Sequence, residues 1–563
     1  MKRPFLIAFI LVLWGGETIA QTTTENYVMT TTYKDEAGSP SSSDISITYY
    51  DGLGRPIQQV AHKQSGSGGD LIIHIEYDGF GRQTKEFLPY ERTMASLNID
   101  GSADSNVYSF YSNPLYGNTA YPYSEKELEN TVLGRVLRQA APGDDWAMDN
   151  PNNSEIGFDY RTNSSNEVYY FTVNNPDGTP ALALNTGNNG RYPENQLYKS
   201  VMQDENHPKN SDLRGTVVEF KDKQGRVILR RHYGSSSGYR GEDPDPVEPY
   251  DTYYVYDSYG NLAFVLPPLL SEQIVSGGSL VSNNNDLIDE LGYRYKYDYR
   301  NRLITKKLPG KRYEFIAYDP LDRVVAVGPV KSPFEGQDTD GVLHTRYDHF
   351  NRVVYTYWVE GYFDQAKRQD IEDSITSVVS ESPLETPETD EAGPVYYTRD
   401  VAAQPNRIYL TQFAYHYYPA NWVSSGEIVS GVLGQTVHYN NTTLAKGLPT
   451  VIWTRVLEDI NSTHANITFT LYDVKGRPLR VKAKNHLGGY TQTDSQYNNT
   501  IDSKVIKTET KHKRTSSDTE ITTTEEFTYP HGNRLEKHTN KINSLPVQML
   551  SFNQYDALGR LIT

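Results

Sequence analysis

Gly234-Ser235-Ser236-Ser237-Gly238 has the glycine–serine spacing of a nucleophile elbow. That motif needs a strand before it and a helix after it, to strain the central serine and build an oxyanion hole. The residues that follow, Tyr239-Arg240-Gly241-Glu242-Asp243-Pro244, cannot open such a helix, so a loop accounts for them. Asp144, Asp145, Asp149, Asn150 and Glu155 carry enough oxygen to hold Ca²⁺, but without the spacing of an EF-hand loop. A polar loop explains that cluster as well. The 13 histidines are dispersed, with no HExxH pattern, and most are expected on solvent-facing strand positions. His74, set between Ile73 and Ile75, is one of them. Cysteine is absent, which removes thiolate chemistry, Cys-ligated zinc and disulfides. No catalytic residue, metal ligand or cofactor follows from these groups.

What does recur is an aspartate four residues before an arginine. The copies are Tyr50-Asp51-Gly52-Leu53-Gly54-Arg55 and Tyr77-Asp78-Gly79-Phe80-Gly81-Arg82, then Tyr256-Asp257-Ser258-Tyr259-Gly260-Asn261. Tyr297-Asp298-Tyr299-Arg300-Asn301-Arg302, Tyr318-Asp319-Pro320-Leu321-Asp322-Arg323 and Tyr347-Asp348-His349-Phe350-Asn351-Arg352 follow. The last two are Tyr472-Asp473-Val474-Lys475-Gly476-Arg477 and Tyr555-Asp556-Ala557-Leu558-Gly559-Arg560. Weaker copies lie at residues 220–226 and 529–534. An Asp opening a tight turn can accept hydrogen bonds from backbone amides further on. The position before the last residue is Gly in five of the eight copies and Asn301, Asp322 or Asn351 in the others. Those residue types tolerate positive φ best, so a backbone conformation is being kept while identity changes. The Asp could also ligate a cation, but the turn already explains it.

Both flanks read as strands. Residues 45–50 and 73–77 alternate with period two, and residues 302–308 and 323–327 are rich in strand formers. Pro89, Pro267, Pro309 and Pro329 are expected to mark where the second strands stop pairing. A lone hairpin is marginal in water, so the units must stack, with the repeat Tyr as packing between successive hairpins. The fold class expected is therefore all-β: tandem antiparallel hairpins in a spiralling ribbon or partial shell, with irregular β-rich N-terminal inserts.

These hexapeptides resemble the YD repeats of Rhs proteins, bacterial wall-associated proteins, insecticidal Tc toxin shells and teneurins. The stretch from Tyr49 to Tyr90 is similar to the N-terminal region of Bacteroidota Rhs-type proteins. The resemblance implies a β-ribbon that spirals into a hollow shell around a variable, often toxic, C-terminal domain. It also implies that further repeats and a core-closing domain follow. Its self-cleaving aspartyl motif is not supplied by Asp319-Pro320-Leu321-Asp322, which is a repeat turn.

Lys2, Arg3, the apolar run 5–14 and the small residues Thr18 and Ala20 read as a signal peptide over 1–20, with a retained anchor as the other reading. No later segment is apolar for long enough to span a bilayer, so the mature chain is expected to lack a transmembrane segment and to be secreted or at the cell surface. Net charge is −17 over 563 residues and the cations form no stripe, which argues against nucleic acid. Residues 21–44 are expected to be loosely ordered, although 26–33 could pair as an edge strand. First hairpins at 45–90 and a β-rich insert region at 91–250 follow, with 243–249 as a Pro-spaced linker. Within the insert, 125–134 could form a short helix capped by Ser124. A repeat array at 251–563 carries an acidic insert at 370–394, with one helical turn near 371–379. Because Arg560 to Thr563 starts a second strand and stops, the array is expected to be truncated at its C-terminus. The functional expectation is a non-catalytic structural segment that encapsulates or displays a C-terminal cargo domain or downstream polypeptide. A surface adhesin binding a glycan or cell-surface ligand, and a hydrolase hidden in 91–250, are the other readings.

Overall fold

The computed structural model describes residues 22, 24–33, 43–148, 150, 155–174, 179–205, 213, 215–235, 247–348, 350–376, 406–415, 417–438, 447–498, 503–529 and 534–562. The expected signal peptide lies outside them.

The strands Asn26–Tyr33, Ser43–Tyr50, Pro56–His62, Asp70–His74 and Tyr90–Arg92 form an antiparallel sheet in that order. Period-two patterning turns Ile47 and Tyr49 fully inward. The helix Ala103–Tyr111 covers that face with Ala103, Val107 and Tyr111, four residues apart and therefore on one stripe. Within residues 21–44, Asn26–Tyr33 takes the edge-strand alternative and pairs along its whole length with Ser43–Tyr50. His74 corrects an expectation. Asp70, Ile72 and His74 share the inward face, so His74 is mostly buried, edge-on to Phe87 at 5.0 Å, and burial lowers its pKa.

From Lys85–Phe87 onward, 24 strands pair antiparallel, each with its neighbours in the ribbon, out to Gln548–Phe552. Among the described residues no ladder joins the last strand to the first, so the sheet is an open ribbon. The insert region contributes to it: Tyr123–Leu128, Val136–Ala140, Ile156–Thr162 and Tyr198–Gln203 are consecutive members. Residues 125–134 are therefore not a helix. Tyr123–Leu128 is held between Lys85–Phe87 and Val136–Ala140, and ladder hydrogen bonds on both sides outweigh local helix preference.

Three boundaries also move. Strand Val324–Lys331 runs through Pro329 by way of a register shift between Val327 and Val330, and a bulge is where a strand admits proline. Pro249, expected in a linker, sits inside strand Val247–Tyr256. It lies opposite Tyr233, whose own N–H and C=O are bonded to Thr216 and Gly215, so that pair asks no hydrogen bond of the proline. Residues 243–246 lie outside the described residues. The helix near 371–379 begins earlier, as Gln365–Thr376, and packs Ile371 and Ile375 against the hairpin of Tyr313–Tyr318. The rest of the acidic insert, 377–394, is outside the described residues.

The core is a series of separate clusters strung along the ribbon. One holds Val218, Phe264 and Leu270, another Ala317, Val325 and Phe363, another Val451, Phe469 and Leu471. The strands Val505–Thr515, Ile521–Thr528, Lys537–Ile542 and Gln548–Phe552 contain no buried residue.

Candidate functional site: the repeat turn

The first copy shows the wiring. Asp51 N–H donates to the Arg55 carbonyl at 2.9 Å, and Gly54 N–H donates to the Asp51 carbonyl at 3.0 Å. One carboxylate oxygen of Asp51 accepts the amides of Leu53 and Arg55 at 2.9 and 2.8 Å. The other accepts Arg55 Nε at 2.8 Å. The same set recurs at Asp78 with Arg82, Asp298 with Arg302 and Asp319 with Arg323. It recurs again at Asp348 with Arg352 and Asp473 with Arg477, and at Asp556 the amide and Nε of Arg560 bond the two carboxylate oxygens. At Asp257 the amide of Asn261 takes the guanidinium's place, bonding at 3.2 Å. Both oxygens of each carboxylate are consumed by the turn.

Backbone conformation explains the variable position. Gly54, Gly81, Gly260, Gly476 and Gly559 have φ between 77° and 87°, and Asn301, Asp322 and Asn351 have φ of 60°, 64° and 65°. A β-branched residue there would clash with its own carbonyl. Where paired strands flank the turn, the second strand gains one residue over the first, as where Ala317 pairs with Ala326 but Tyr318 with Val324, leaving Val325 as the bulge. The amide of Arg55, then its side chain, holds the Asp51 carboxyl below its usual range, and Arg82 does the same to Asp78. At Asp298 and Asp556 burial pushes upward, but the donors of Arg302 and Arg560 win and the pKa falls.

Each turn is also wired to the next. Tyr77, Tyr318, Tyr347, Tyr472 and Tyr555 donate their hydroxyls to Pro56, Leu303, Val324, Pro449 and Leu535, carbonyls of the preceding hairpin, at 2.6–2.9 Å. Tyr256 does so to Val227 at 3.1 Å. The preceding arginine lies over the same ring: Arg55 over Tyr77 at 4.4 Å, Arg302 over Tyr318 at 4.7 Å and Arg323 over Tyr347 at 4.9 Å. Its free nitrogen then reaches the following turn, as Arg323 Nη1 does to the Asp348 carbonyl at 2.9 Å and to Asn351 Oδ1 at 3.0 Å. Arg302 bonds Asp322 Oδ1 likewise at 2.9 Å. Where Asn261 replaces arginine, its amide bridges to Asn301 at 3.0 Å. Tyr50 and Tyr297 close their own hairpins against Pro56 and Leu303.

The weaker copy at 220–226 proves complete, with Asp222 binding Arg226 in the same way and Gly225 at φ of 82°. Three further turns carry no hexapeptide in the sequence. Glu129 replaces Asp in a turn two residues longer, binding Arg135 through its amide, Nε and Nη2, with Gly134 at φ of 57°. Side-chain bonding to Arg135 and Thr131 pulls the Glu129 pKa down to about 2. Tyr415 closes against Pro449 across a long insertion, with Gly447 at φ of 82° and Arg352 over its ring at 4.2 Å. Tyr497 closes against Val505, with Asn498 in the Asp position and Arg477 over the ring at 4.7 Å. The surviving signal in each is an aromatic or apolar residue before the turn and a Gly, or Ser503, near its end.

The other candidates scatter. Ser236 and Asp149 lie outside the described residues. Asp144 accepts the Ala120 amide, while Glu155 pairs with Arg138 at 3.1 Å, so these carboxylates do not converge. Among the described residues no group of three His, Asp or Glu side chains could hold a metal.

A family model described as a domain of unknown function, DUF6443, matches residues 20–162. No curated protein matches the chain. Among solved structures, one titled "Crystal Structure of TcdB2-TccC3" aligns over 95% of this chain at 13% identity and a TM-score of 0.42. "Crystal Structure of TcdB2-TccC3-Cdc42" aligns over 95% at 13% identity and 0.41. "Structure of Photorhabdus luminescens Tc holotoxin pore, Mutation TccC3-D651A" aligns over 95% at 13% identity and 0.36. This chain spans 22% to 24% of the length of those chains.

Proposed function

We propose that the chain is a non-catalytic structural segment of an exported YD-repeat protein, whose ribbon encloses or displays a polypeptide domain. The observation that carries this reading is the fate of the repeat's chemistry. Each recurring Asp, Arg and Tyr is spent on its own turn or on the adjacent hairpin, which is what a scaffold requires and what a catalytic group cannot afford. Ladder hydrogen bonds and turn-to-turn contacts do for this cysteine-free chain what disulfides do for many exported proteins. Protease treatment of the native gene product tests enclosure. A cargo polypeptide should resist digestion until the ribbon is unfolded; one cut at the same rate in both states would remove the reading. Export is tested by deleting residues 1–20, which should retain the protein inside the cell.

A second reading, glycan binding, has one observation behind it. A cleft of about 250 Å³ is lined by Tyr169, Tyr170, Tyr192, Tyr254 and Tyr256, aromatic faces on which a sugar ring stacks. Binding on a glycan array that is lost in Tyr170→Ala would favour it.

A further inference from the structure

The ribbon has a seam. Its last strand, Gln548–Phe552, and its first, Lys85–Phe87, share no ladder among the described residues, yet the turn beyond the last strand lies on the N-terminal sheet. Gly66 N–H donates to the Ala557 carbonyl at 2.9 Å. A Cβ at residue 66 would run into the Asp556 carbonyl, so this approach depends on glycine. The loop that presents Gly66 is braced: Gly69 N–H donates to Ser65 Oγ at 2.7 Å, and Ser65 Oγ donates to Glu91 at 2.6 Å. Arg560 lies over the Tyr116 ring at 5.4 Å.

Leu558 distinguishes this turn from its siblings. Its equivalents at the tip of the turn are exposed: Leu53 by 80%, Phe80 by 79%, Tyr259 by 80%, Leu321 by 57% and Phe350 by 56%. Leu558 instead packs against the buried cluster of the N-terminal sheet and its helix. The contact buries an apolar tip, satisfies a backbone donor and places a cation on an aromatic ring, three features of a formed interface.

We propose that the 65–69 loop and Tyr116 form a socket for a repeat turn with leucine at its tip, and that seating residues 556–560 there clamps this stretch of the ribbon onto the N-terminal sheet. Among the described residues, successive ribbon strands are joined by ladders of backbone hydrogen bonds, whereas this contact rests on a single turn, so it is the one expected to open first. This goes beyond the scaffold reading and stands whether or not a cargo is enclosed.

Hydrogen exchange on the full chain tests it, comparing wild type with Gly66→Val and Leu558→Ser. In wild type, segments 65–69 and 555–561 should be protected together. Each variant should raise exchange in both segments by about tenfold or more while 472–477 is unchanged, because a local opening exposes only what it releases. Leu558→Ser sits on the turn and leaves the N-terminal core intact, so it decides the matter if Gly66→Val unfolds the chain. Wild-type segments that exchange freely, or a Leu558→Ser variant that loosens only its own side, would overturn the clamp. Protection that rises with protein concentration would assign the seated turn to a second copy and overturn it too.

Discussion

The hairpins of residues 293–360 and those of residues 505–552 share a ladder but not a core. In the first group Ala317, Tyr357 and Trp358 are almost wholly buried; in the second Ile521, Met549 and Phe552 are 48%, 57% and 49% exposed. Yet the Asp556 turn beyond the second group repeats the hydrogen bonds of the Asp319 turn. Turn geometry is thus set locally by a few residues and persists where packing does not. Stability should be concentrated in the packed hairpins, with the turns holding register throughout.

The largest effect expected is on packing. Phe469→Ala, within a buried cluster, should lower unfolding free energy by about 3–5 kcal/mol, whereas Phe552→Ala should change it by less than about 0.5 kcal/mol, both read by denaturant titration. Equal losses would erase the contrast between the two regions. Asp319→Ala comes next. Asp319 is 4% exposed, and its loss strands two amides and the Arg323 guanidinium, for about 1–3 kcal/mol. The same change at Asp556, facing a half-exposed Arg560, should cost less.

Gly476→Ala puts a side chain at φ of 81° and should cost about 1–2 kcal/mol, while Asn301→Gly, already left-handed, should cost only its exposed bond from Asn261, less than about 1 kcal/mol. The last effect concerns pH and grows only as acid is added. Burial and then Arg346 depress the pKa of His344, stacked on Tyr357, to about 3. An unfolded histidine takes a proton near pH 6.5, so its unfolded state binds more protons between that value and 3, and stability falls as pH drops through the window. His344→Gln should flatten that part of the stability profile; an unchanged slope would place the titration elsewhere.

What the sequence disclosed follows the same division. The Asp51, Asp319 and Asp473 turns were legible because five residues within one window determine them. The Glu129, Tyr415 and Tyr497 turns were not, because extra residues separate the strand residue that opens each turn from the positive-φ residue that ends it, while the ladder on either side still forces them together. His74 was misplaced because alternation says which residues share a face but not which face meets the core. The seat of Leu558 against the N-terminal sheet joins residues nearly five hundred positions apart in sequence, and no local pattern encodes it.

The account depends on adjacent turns supporting one another through arginine and tyrosine. A double-mutant cycle on Arg323→Met and Tyr347→Leu, read by denaturant unfolding, measures that support directly. A favourable coupling of about 0.5–2 kcal/mol is predicted for a partly buried cation on an aromatic face. Strictly additive losses would mean that each hairpin stands alone at its turn, and would contradict the account.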